Sequence, residues 1–179
     1  MTRCNSSDSS VSILLANFHL HHPDFADPMG YPAVRPDDLP STVLWNYNNC
    51  MNDTNQVEIF TSGNPNQPCM EKALRNKDGT LLTTDAYNRV RSTVCTIAAQ
   101  LLHLPAKLFP GQTRDTGSRT KCYFTNVYPQ EWINALGMVE YMQPVTQMCS
   151  ALWKADHLLS KHLQNISSAD NDEDHTEHK

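Results

Sequence analysis

The chain has 179 residues, 39% of them apolar and 18% charged, with 14 basic and 19 acidic side chains. A length of this order fits one globular domain with tails, and eleven prolines against six glycines exclude a collagen-like or glycine-rich repeat chain. The longest uncharged apolar stretches, such as residues 11–20, fall far short of the roughly 20 residues a membrane-crossing helix needs, so no span is predicted.

Residues Ser10 to His22 place Val11, Leu14, Leu15, Phe18 and His22 on one helical face after a Ser/Asp-rich cap region, and Pro23 closes the segment. The same stretch lacks a secretory pattern, because Arg3 is a lone charge and Ser12, Asn17 and His19 interrupt the apolar run. The expected location is therefore intracellular, in nucleus or cytoplasm. A connector with four prolines, Pro23 to Leu39, follows. Pro40 to Asn52 carries Val43, Leu44, Tyr47 and Met51 at helical spacing. The run Val57 to Thr61 is strand-like, but no partner strand is evident and an isolated strand is not stable. Pro68 to Asn76 predicts a short helix ended by the turn Lys77-Asp78-Gly79.

The clearest element begins at Thr83-Thr84-Asp85, where a hydroxyl can cap the free amides of a helix start and Asp85 favours its positive end. Tyr87, Val90, Val94, Ile97, Ala98 and Leu101 then recur at helical spacing until Pro105 disfavours a helical residue before it. Pro105 to Tyr128 reads as a long connector, of a length usually functional or mobile. Pro129 can open the next helix, through Trp132, Leu136, Val139 and Met142. Pro144 predicts a corner and the start of a last helix with Val145, Met148, Leu152, Ala155, Leu159 and Leu163 on one stripe. Trp132 and Trp153 lie on or beside these stripes and are expected in the core. After Asn165 a polar, acidic tail has too little apolar surface to offset the entropy of ordering it.

The expected fold class is all-α: a compact multi-helix domain over residues 8–165 with three well-defined C-terminal helices, long proline-rich connectors and a disordered acidic tail at 166–179. Its core should contain Val90, Val94, Ile97, Leu101, Trp132, Leu136, Val139, Met148, Leu152 and Leu159. The six cysteines, at 4, 50, 69, 95, 122 and 149, contain no CxxC pair. Several flank apolar helical stretches, so they are expected as reduced thiols.

Charge is unevenly placed. Residues 1–71 carry two basic and eight acidic side chains, 72–121 nine and three, and 122–179 three and eight, for net charges of −6, +6 and −5. A basic block followed by an acidic tail can attract polyanions, or the tail can screen the block. Its densest part, Arg114 to Phe124, sets arginine and lysine beside hydroxyls and two aromatics, a composition suited to phosphate contacts with base stacking. Arg114, Arg119, Lys121 and Tyr123, with Arg89 and Arg91 from the preceding helix, are the candidate nucleic-acid-binding residues. The competing reading is a solvated loop that Tyr123 and Phe124 anchor to the core.

No nucleotide-binding glycine motif, HExxH or GxSxG occurs, and no cofactor is expected. The best metal-like group is His19, His22 and Asp24. Only His19 and His22 share a helical face there, and two ligands do not make a site. His157 and His162 stand five apart, which misses the i,i+4 geometry of a helical zinc pair. A Cys/His pair could still meet in space.

Arg119-Thr120-Lys121-x-Tyr123-Phe124, Tyr128-Pro129-x-Glu131-Trp132, Gln143-Pro144 and the run Cys149 to Leu159 resemble a pattern in lineage-restricted proteins of mushroom-forming fungi. The resemblance covers roughly residues 80–164 and its motifs are of a packing type. It implies no activity or site, and favours an intracellular interaction or nucleic-acid-associated role over metabolism. The sequence thus points to a non-catalytic binding module acting on a protein partner and possibly DNA or RNA, without membrane contact. The alternative is an enzyme with a Cys/His or His/Asp metal site.

Overall fold

The computed structural model describes residues 35, 37–52, 60–61, 64–114 and 117–173. In chain order these form α1 (Tyr47–Asn52), β1 (Phe60–Thr61), β2 (Asn64–Pro68), α2 (Met70–Ala73), α3 (Thr84–Leu102), α4 (Lys121–Val127), α5 (Pro129–Met142), a 3-10 turn (Pro144–Thr146) and α6 (Trp153–Glu173). The domain is all-α, with one antiparallel two-stranded ribbon among the described residues, β1–β2, paired Phe60 to Pro68 and Thr61 to Asn64. No described helix is long and apolar enough to cross a membrane.

Helix α3 forms where its sequence signals lie. Thr83 Oγ1 accepts the Ala86 amide at 3.2 Å, Asp85 sits in the first turn, and the helix ends three residues before Pro105. Its buried stripe is Val90, Val94, Ile97, Ala98 and Leu101. Helix α5 starts on Pro129 as its first residue and is buried nearly all round, including Asn134, Gly137 and Glu140. It packs against α3, α4 and α6, which makes it the central element. Gln143 Nε2 donates to Thr93 Oγ1 at 2.7 Å and ties its C-terminal end to α3. Trp132 and Trp153 are buried as expected, and so is every predicted core residue except Met148, which is half-buried.

The Pro105–Tyr128 segment is not a structureless connector. It contains α4, whose Tyr123 and Phe124 face the core, with Phe124 stacked on Trp132 at a centroid distance of 6.3 Å. Two tyrosines pin the chain just after α3. Tyr123 Oη donates to Lys107 O at 3.0 Å and accepts from Lys107 N at 3.1 Å, and the Tyr128 hydroxyl donates to Pro105 O.

The chain between α5 and α6 also departs from the sequence reading. Pro144 starts a single 3-10 turn, and the last helix begins only at Trp153. Ala151 and Leu152 adopt φ of 54° and 59°, a left-handed conformation that cannot continue a right-handed helix. The apolar side chains at 145, 148 and 152 keep helical spacing without being helical. At its far end α6 runs on to Glu173, past the boundary expected at Asn165, since extending an existing helix needs only one further bond per residue. The Val57–Thr61 run has a partner after all. Asn64-Pro65-Asn66-Gln67-Pro68 pairs with its last two residues, a strand that two prolines conceal.

The N-terminal part of the described chain is joined to α6 through Trp45, whose carbonyl accepts from Ser150 N at 2.8 Å and Trp153 Nε1 at 2.9 Å. The turn at Gly79 requires glycine, because φ is +84° and a Cβ there would lie 2.1 Å from Thr42 Oγ1. The predicted helix 10–22, with His19, His22 and Asp24, lies outside the described residues, as do Val57–Ile59 and 174–179.

Candidate functional site

Helices α3 and α6 diverge enough to leave a groove of about 430 Å³ between them, closed along one edge by the residues around α2. Tyr87, Arg91 and Cys95 follow one another at i,i+4 along α3, and His157, Lys161 and Asn165 do the same on α6. Leu158 and His162 form a second α6 row, and Val94 adds apolar surface from α3. The edge supplies Gln67, Pro68, Cys69, Met70 and Glu71. Val94 and Leu158 belong to the core as well, so the floor of the groove is continuous with it.

The groove is positively biased. Arg91 and Lys161 are exposed cations on opposite walls, and among the described lining residues Glu71 is the one carboxylate. Burial holds His157 below the usual histidine value; Asp156 pulls it the other way, and Lys161 and Lys121 add to the depression. Burial, with Arg91 beside it, also lowers His162. Both imidazoles are thus neutral at pH 7, each offering one donor and one acceptor nitrogen. Burial holds the Tyr87 phenol above its ordinary value, so it remains a hydrogen-bond donor.

Cys95 Sγ lies 3.9 Å from His162 Nδ1, within reach of a weak sulfur hydrogen bond, and the two residues are 67 positions apart in sequence. Cys95 itself is exposed. Among the described residues no group of three His, Cys, Asp or Glu side chains is placed to hold a metal ion.

The predicted basic surface is dispersed. Arg114 and Arg89 are exposed, and Arg91 lines the groove. Lys121 is the first residue of α4 and pairs with Asp156 at 2.6 Å, while Arg119 lies over the Tyr123 ring, 4.3 Å from its centroid. Tyr123 is 6% exposed and packs edge-on against Phe124, which leaves it no face for a base. Elsewhere in the block Lys107 covers the Tyr128 ring, Lys77 pairs with Asp38 at 3.7 Å, and Arg75 is buried. The structure therefore brings together Arg91 and the α6 histidines His157 and His162; Lys121, on Asp156, is near enough to His157 to depress it, but it does not line the groove, and neither do Arg114, Arg119 and Tyr123. Sequence reasoning singled out Arg91 for another surface, and treated Cys95 as a packing thiol. Lys161 and Tyr87 had no signal beyond their helical phase.

A second polar group lies in the core. Lys154, with no exposed surface, donates to Met148 O at 2.8 Å, and burial pushes its ammonium down to about 8. Burial likewise raises the Cys149 thiol to about 11, and its Sγ–H donates to Thr146 O at 3.2 Å. Glu140 and Cys50 are fully buried nearby. These contacts brace the 146–152 turn from inside and offer no access to a substrate. No protein-family model matches this chain, and no curated protein or solved structure matches it.

Proposed function

We propose that this chain is a non-catalytic binding module whose groove between α3 and α6 takes a small ligand carrying two or more carboxylate or phosphate groups. The reading rests on Arg91 and Lys161, one on each wall of the groove, neither of which is in an ion pair among the described residues. Charge-assisted hydrogen bonds to anions are stronger than neutral ones, and Arg91 can engage a carboxylate or phosphate through two parallel bonds. Tyr87, His157 and His162 supply neutral donors, and Leu158 and Val94 an apolar floor, the usual mixture for a small-molecule site. The volume falls in the lower part of the range such sites span.

A nucleic acid along Arg114–Tyr123 has less support, because Lys121, Arg119 and Tyr123 are engaged within the fold. A macromolecular partner fits the same chemistry where it presents phosphates or carboxylates to the groove. The test is amide-resolved NMR titration with pyrophosphate and with citrate at low salt. Shifts confined to 87–95 and 157–165 are expected. Shifts centred on 107–121, or none at all, would overturn the assignment.

A further inference from the structure

We propose that Cys95 is a thiol-exchange site, at which a low-molecular-weight disulfide bearing carboxylates is held by Arg91 and Lys161 and attacked by the Cys95 sulfur, with His162 taking the thiol proton. This rests on the groove's reading as an anion site. Three features of the position combine. The thiol is exposed and opens into a cavity rather than onto a flat surface. Its sulfur is 3.9 Å from an imidazole nitrogen. The cations that would hold the substrate's carboxylates lie one helical turn back on the same wall, at Arg91, and across the groove at Lys161. Reactive cysteines occupy partly exposed, electropositive surroundings, whereas apolar burial makes them inert. Within this one chain Cys149 is the inert case, sealed in the core with its thiol raised to about 11.

The chemistry balances without a cofactor. The Cys95 S–H proton passes to His162 Nδ1, and the sulfur's electron pair attacks one sulfur of the substrate disulfide. The substrate S–S bond breaks as the Cys95 mixed disulfide forms. The departing thiolate leaves with the bonding pair and recovers a proton from the His162 imidazolium. The substrate disulfide is the oxidant, and a free thiol of the same class reverses the step. Burial holds His162 below the usual histidine value, so at pH 7 the ring is neutral and one of its nitrogens has a free lone pair to take that proton.

The test uses the full chain with oxidised glutathione as probe, followed by peptide-resolved mass spectrometry of each cysteine. Cys122, also exposed but lacking a histidine partner among the described residues, is the internal control. Cys95 should be modified at least about tenfold faster than Cys122, and His162→Gln should slow Cys95 by about tenfold or more while Cys122 is unchanged, as loss of a general base requires. The double variant R91A/K161A should slow Cys95 toward oxidised glutathione but not toward neutral bis(2-hydroxyethyl) disulfide. Equal rates at Cys95 and Cys122, in a protein that still binds pyrophosphate in the groove, would overturn the exchange site and leave the anion site standing. A fast Cys95 that R91A/K161A does not slow toward either disulfide would overturn both the anion reading and the assigned substrate class.

Discussion

Lys121 Nζ lies 2.6 Å from Asp156 Oδ2, joining the first residue of α4 to the first turn of α6. The last cation of the basic segment is thereby paired within the fold, with a carboxylate 35 residues away. Both side chains are partly exposed, so the pair is worth only about 0–1 kcal/mol. Lys121→Ala should lower stability by no more than that in a urea titration, and should leave pyrophosphate affinity unchanged within about twofold, since the lost charge lies outside the groove lining. A loss of binding in this variant would return the site to the α4 loop.

The backbone at Ala151 allows a sharp comparison of one substitution in two places. Ala151 sits at φ 54°, where a non-glycine residue costs roughly 1–2 kcal/mol, against roughly 0.4–1 kcal/mol gained by restricting the unfolded chain. Ala151→Gly should therefore be neutral or stabilising by up to about 1.5 kcal/mol. Ala99→Gly, on the exposed face of α3, should cost about 1 kcal/mol. Equal destabilisation by both would mean that α6 continues back through 151 as an ordinary helix.

That turn also marks how far the sequence can be read. Helix α3 is legible because cap, stripe and terminating proline all agree over nineteen residues. Helix α4 is not, since seven residues cannot stabilise themselves and the element exists because Tyr123 and Phe124 dock on the Trp132 side of α5. The start of α6 is hidden because the spacing of Val145, Met148 and Leu152 looks helical while the left-handed pair Ala151–Leu152 leaves no trace in composition. The pairing of Cys95 with His162 depends on how α3 and α6 cross, which no local signal encodes. Arg91 carries a functional signal through its charge and His157 and His162 through their chemistry, but nothing in the sequence places them in one groove.

Burial separates reactive from inert side chains of the same type. Cys50 and Cys149 should resist a soluble thiol reagent in the native protein, while Cys95 and Cys122 react. Lys154 has its ammonium held down to about 8 by burial, yet it has no exposed surface. An amine-acylating reagent should label Lys161 in the native state and Lys154 only after unfolding, both read by peptide mass spectrometry. Native labelling of Lys154 at the rate of Lys161 would show the core turn to be open.

The depressed basicity of His157 sets a pH dependence. Its folded value lies below the usual 6.5, so below that pH the unfolded chain binds more protons than the folded one. Its contribution to stability is complete above the unfolded value and is lost as pH falls toward the folded value. Asp156 opposes the shift, Lys161 and Lys121 reinforce it, and the imidazole also packs against the Tyr47 ring at 6.5 Å. The urea midpoint should fall between about pH 7.5 and about pH 5.5, and His157→Gln should flatten that slope. A slope unchanged in the variant would assign the effect to other groups.

The central claim, an anion site between α3 and α6, is tested most directly by calorimetric titration of pyrophosphate into the wild-type chain and the R91A/K161A double variant at low and moderate salt. Measurable binding by the wild type is expected, weakening as salt screens the two cations, with a loss of at least about tenfold in the variant, since hydrogen bonds to charged groups are worth about 1.5–3 kcal/mol each. Equal affinity in the two proteins, or no binding by the wild type at low salt, would contradict it.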